Sequence, residues 1–150
     1  MGDVSRDPTQ QLPAAAQDDL RRLADALGEH AAVQVDRGRT MIPVAAGFDV
    51  DGQWHFFIAD LEQVTDDKSV EEALAQELAG RRDELRLHAV CLVADTKNSE
   101  LGDTLEFHFD FAETVHGIVA LRPYQPGGFL RRARFGQTHI AAGPHFVFGL

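Results

Sequence analysis

The chain carries a single cysteine, Cys91, in 150 residues. It can therefore form no intramolecular disulfide and no Cys-rich zinc site. No stretch approaches the roughly 20 consecutive apolar residues that carry a helix across a bilayer. The opening MGDVSRDPTQ has no apolar core of a signal peptide, and Arg6 stands where N-myristoylation wants Ser or Thr. A cytoplasmic location is the expectation. The nucleotide fingerprints G-x-G-x-x-G and G-x-x-x-x-G-K-[ST] are missing, as are G-x-S-x-G, H-E-x-x-H and C-x-x-C. Acid is missing too, but only from residues 114–150.

What is present is a strong charge imbalance. Fourteen Lys and Arg face 24 Asp and Glu, a formal charge of −10. A dedicated nucleic-acid binder normally carries a basic face, so nucleic acid is not an expected partner. All the acids fall in residues 1–113, where ten basic residues leave −14; the last quarter holds Arg122, Arg131, Arg132 and Arg134. That basic quarter is rich in strand formers. It is expected to pair with acidic neighbours inside the fold, the alternative being an anion or an acidic partner docked on the arginines. The apolar content of 44% and the length fit one globular domain, expected over 12–150 after a flexible 1–11.

Leu12, Ala16, Leu20, Leu23 and Leu27 recur every three or four residues behind Pro13, which predicts an amphipathic helix that Gly28 stops. Asp51-Gly52 between VAAGFDV and QWHFFI predicts a hairpin; with these two as the loop, Phe48 faces His55 and Ala46 faces Phe57. Ser69 and Glu72 form a capping-box pattern opening a second helix, with Val70, Leu74, Leu78, Arg81 and Leu85 on one face and an end near Asp83. LRLHAVCLVAD is nearly continuous apolar, as a central strand covered on both faces would be. Cys91 within it reads as a buried structural thiol. LEFHFDF alternates, with Leu105, Phe107, Phe109 and Phe111 inward. VHGIVALR, an edge strand FLRRARF and a short strand at HFVF complete a meander. The sum is an α+β fold, two helices packed together on one face of a five- or six-stranded, mainly antiparallel sheet.

The candidate site lies on the outward face of LEFHFDF. A three-residue loop, Ala112 to Thr114, sets Phe111 opposite Val115 and Asp110 opposite His116, with Thr104 opposite Arg122. Glu106, His108, Asp110 and His116 then share a face, a set that suits a metal or acid–base work, or an ordinary solvated strand face. The same face, with Ile118, would suit association of two copies, and a homodimer is expected.

The runs PVAAGFDVDGQ, LRLHAVCLVADTKNSELGDTLEFHFDFAETVHGIVALRPYQ and FGQTHIAAGPHFVF resemble a group of small bacterial proteins with no established activity. Its members show a P-F-A-x-x-L-x-x-D-G-like hairpin, a helix, a V-R-A-V-like strand, an acidic strand, an R-P-Y-like exit and an F-G-like end. The likeness covers about residues 41–148. It departs at FHFDFAETVHG, where that group tends to carry an E-H-x-x-G turn. The resemblance implies an α+β fold and transfers no catalytic residue. No cofactor is expected. The expected function is a non-enzymatic binding module, of the immunity type that blocks a basic toxin by complementary charge; the alternative is a small metal- or ligand-binding enzyme using the Asp/His cluster.

Overall fold

The fold is taken from a computed structural model, which describes residues 7–38, 41–59, 69–128 and 130–148. A short 3-10 turn, Pro8–Gln11, leads into helix α1, Ala14–Asp36. Strands β1 (Val44–Asp49) and β2 (Trp54–Ile58) form a hairpin, followed by helix α2 (Val70–Leu85). Strands β3 (Leu87–Asn98), β4 (Gly102–Phe111) and β5 (Gly117–Gln125) form a meander. β6 (Arg134–Phe135) and β7 (His139–Gly143) are short. The order is β2-β1-β3-β4-β5-β6 with β7 also on β5, all antiparallel, so the sheet is α+β as expected but seven-stranded.

The helices take opposite faces of the sheet, not one. β2 and β3 are both antiparallel to β1, hence parallel to each other, and the chain between them must cross over β1. α2 makes that crossing and buries Leu74 and Leu78 against Ala45, Phe57, Val90 and Leu92. α1 covers the other face, burying Leu23, Leu27, Ala31 and Val35 against Phe48, Cys91, Phe107, Phe109 and Ile118. β3 lies between the two layers, which is why its sequence is apolar without a break from Ala89 to Ala94.

α1 does not stop at Gly28. Ala31 and Val35 extend the stripe of Leu27 by two more turns, and that burial outweighs about 1 kcal/mol of glycine propensity. The helix ends at Asp36 with Gly38 in the left-handed region (φ 67°). α2 begins as expected, Ser69 Oγ accepting from Glu72 N at 3.1 Å, and runs two residues past Asp83.

Both hairpins sit one residue from the expected register. In β1–β2, Phe48 faces Trp54 and Ala46 faces Phe56. Asp49 causes this: its Oδ1 accepts from Asp51 N and Gln53 N, both 2.9 Å, closing a three-residue loop, Val50 to Gly52. In β4–β5, Phe109 faces Ile118 and Thr104 faces Pro123. A slip of one turns every side chain over, so Ile118 is buried beneath α1 and leaves the face on which association was expected. HFVF is not a strand either; the last strand is β7, and residues 145–148 fold over β4. Within FLRRARF only Arg134–Phe135 pairs, because Gly128 and Arg131 close a tight turn first. Phe129 lies outside the described residues.

Candidate functional site

β4 turns Glu106, His108 and Asp110 towards α2 and the C-terminal segment, and these three do different work. Asp110 is fully buried. Its Oδ2 accepts from the backbone N–H of Phe146, Val147 and Phe148 at 2.9, 2.8 and 3.0 Å, and Oδ1 accepts from Phe111 N at 3.0 Å. His145 completes the set. Its Nδ1 lies 2.5 Å from Asp110 Oδ1 and its Nε2 3.1 Å from the Val115 carbonyl. Both ring nitrogens face acceptors, so only the doubly protonated imidazolium satisfies both. The Asp110 carboxylate accordingly raises the His145 pKa, with burial opposing it. Arg82 ties down the same segment by donating to the Val147 carbonyl at 2.8 Å. Close approach needs Gly117: a Cβ there would meet the Phe109 and Pro144 carbonyl oxygens at 2.6 and 3.0 Å.

Asp110 is therefore a structural anchor, and its partner is His145 rather than His116. His116 lies in the β4–β5 loop, its Nδ1 donating to the Gly117 carbonyl at 2.9 Å. Glu106 and His108 stay together, with Oε1 and Nε2 2.6 Å apart and both side chains about one-third exposed. The two open on a cleft of about 320 Å³ between α2 and the C-terminal segment. Leu92 and Ala94 of β3 form its floor, Glu71, Glu72 and Ala75 of α2 one wall, and Pro144 and Phe146 the other. The Phe146 ring meets His108 edge-on at 6.3 Å. Thr96 Oγ1 donates weakly to Glu106 Oε2 at 3.4 Å. Among the described residues no lysine or arginine lines the cleft.

Among the described residues no three His, Cys, Asp or Glu side chains converge as a metal site requires. Burial raises the Cys91 thiol well above its usual range, so no nucleophile comes from there. Among the described residues the four arginines make no ion pair. Arg122 lies over the Phe135 ring at 4.5 Å, and Arg131, Arg132 and Arg134 are exposed. A separate polar hollow of about 340 Å³ lies beyond the C-terminal end of α1, but its groups satisfy each other. There Tyr124 donates to Asp95 at 2.6 Å, and Lys97 pairs with Asp103 at 3.6 Å.

Sequence reasoning missed His145, Phe146 and the carboxylates of Glu71 and Glu72 as parts of one site. His145 is 35 residues from Asp110, and no periodicity links them. Glu71 and Glu72 read as solvated helix, and only the crossover that sets α2 over β3 brings them to His108. No protein family, curated protein or solved structure compared with the chain matches it, so the site is read from its own residues. No helix among the described residues is long and apolar enough to cross a membrane.

Proposed function

We propose that this is a non-enzymatic binding module of the immunity type, which engages a basic partner protein and takes a cationic side chain into the α2 cleft. The observation that carries the reading is the cleft's composition: carboxylates of Glu71, Glu72 and Glu106 around an apolar wall, with His108 the one basic side chain among the described residues that line it. A cation entering there exchanges water for carboxylates, while its methylene stem lies along Leu92 and Phe146. Nucleic acid, which would bring a second polyanion to a chain of −10, is not the partner. The acting unit in this reading is a cytoplasmic homodimer.

An NMR titration with an arginine-bearing tetrapeptide at millimolar concentration tests the cleft. Saturable shifts are expected at Ala75, Leu92 and Phe146, fading with salt. A Glu71→Gln, Glu72→Gln, Glu106→Gln variant should bind at least roughly tenfold more weakly, about 1.4 kcal/mol. Equal binding by that variant, or no shift at all, overturns the reading. The 2.6 Å Glu106–His108 contact favours a second reading, a general base oriented by a carboxylate and serving a small-molecule enzyme. Native mass spectrometry decides for it if a stoichiometric small molecule or metal stays bound and is lost in His108→Gln.

A further inference from the structure

We propose that two copies of the chain join through their β2 edges, which pair antiparallel about a two-fold axis at Phe56. The inference rests on the homodimer reading above and assigns its surface.

The bond from Asp49 N to Gln53 O, at 3.0 Å, fixes the phase of the β1–β2 ladder. Bonded pairs then recur at Gly47–His55 and Ala45–Phe57. Trp54, Phe56 and Ile58 consequently aim their backbone N–H and C=O away from β1, and among the described residues no strand receives them. Their side chains share the α1 face of the sheet. Phe56 is 67% and Ile58 75% exposed, and the Trp54 and Phe56 rings stack at 5.6 Å. Sheet edges left open in this way are usually blunted by lysine, proline or a bulge. Gln53 to Ala59 contains none of these and no Asp, Glu, Lys or Arg.

A second copy of β2 fits this edge because the edge is complementary to itself. The outward set 54, 56, 58 is symmetric about Phe56, so the two-fold operation lays bonded pair on bonded pair. Phe56 meets Phe56 of the other copy, and Trp54 meets Ile58 in both directions, the aromatic and β-branched pairing that stabilises cross-strand neighbours. Charge selects the same place. Two bodies of −10 repel over most of their surface, but this strand brings no formal charge to the contact, and the one titratable group on it, His55, is held by Asp49 at 2.9 Å.

Light scattering together with amide exchange tests the proposal. The expected mass is twice 16.5 kDa at tens of micromolar, falling to one chain on dilution. In the dimer, the amides of Trp54, Phe56 and Ile58 should be as protected as those of His55 and Phe57; in the diluted monomer only the latter two should remain so. Phe56→Lys, on an exposed side chain, should be folded and monomeric. Mixing it with Phe56→Glu should restore a dimer. A dimer that persists in Phe56→Lys overturns the edge but leaves the homodimer standing. A chain monomeric at every concentration overturns both and leaves the edge to some other strand. Protection of Trp54, Phe56 and Ile58 in the monomer means the edge is closed within the chain, and the proposal also falls.

Discussion

On the α1 side of β4, Leu105, Phe107, Phe109 and Phe111 meet a helix, and burial of each contributes roughly 1.5–3 kcal/mol. On the α2 side, one residue out of step, Glu106, His108 and Asp110 meet a shorter helix and a C-terminal segment. The first face is held by area. The second is held by one carboxylate that gathers four backbone N–H groups and an imidazolium, offsetting the several kcal/mol that its desolvation costs. Apolar packing leaves a hollow of only about 160 Å³ between α1 and Phe107, Phe109 and Ile118, whereas a polar fastener holds a segment over the sheet and leaves a cleft of about 320 Å³, lined by carboxylates, beside it. The difference places the candidate site on the second face.

Breaking each face in turn should show whether the division is real. Phe109→Ala empties the centre of the α1 face and should cost about 4 kcal/mol, read as a lower urea midpoint with the slope unchanged. Asp110→Asn should come next, at about 3 kcal/mol, because it leaves His145 and a row of N–H groups short of a charged acceptor. Its damage should be local: amides of Phe146, Val147 and Phe148 should lose protection while those of Val90 and Leu92 keep theirs. If both variants unfold everything in one step, the two faces are not held separately.

How far the sequence disclosed this depends on where the information lies. The α1 stripe, the Ser69 cap, the apolar β3 and the alternating phenylalanines are local patterns, and each appears in the structure. The turn registers are not local in the same way. Asp51-Gly52 correctly marks a hairpin, yet the side chain of Asp49 sets its length, and the choice between two and three loop residues decides which face every later residue takes. The opposite placement of the helices was implicit in LRLHAVCLVAD, since a strand apolar on both faces needs cover on both. Glu106–His108 was legible as a pair on one strand face. Asp110–His145 was not, because it joins β4 to a segment whose apolar HFVF reads as one more strand.

pH should separate the fasteners further. His145 has a raised pKa in the fold, so its contribution is complete below about 6.5 and is lost as pH rises through the folded value. Asp49, lowered by the hydrogen bond from His55 and by the backbone N–H of Gln53, contributes above about 3.8 and fails as pH falls through its folded value. Protection of Phe146 to Phe148, corrected for intrinsic exchange, should therefore decline on the alkaline side by a few-fold, and a His145→Gln variant should show no such decline. The β1–β2 turn should loosen only in acid. Decline of the wild-type C-terminal segment in acid instead would mean that His145 does not set its pH range.

The smallest effect asks whether the two helices, so differently seated, are alike within themselves. Gly28 lies inside α1 and Gly80 inside α2, and a Cβ at either would meet nothing within 4 Å. Alanine at each position removes backbone freedom from the unfolded chain and improves helix propensity, worth about 0.5–1 kcal/mol. Both variants should raise the urea midpoint by similar amounts and, being far apart, should add. If Gly28→Ala brings nothing while Gly80→Ala stabilises, α1 frays where the glycine signal would have stopped it, and the turns carrying Ala31 and Val35 are weaker than their burial implies. Equal gains would locate the contrast between the faces wholly in what the helices cover, and not in the helices.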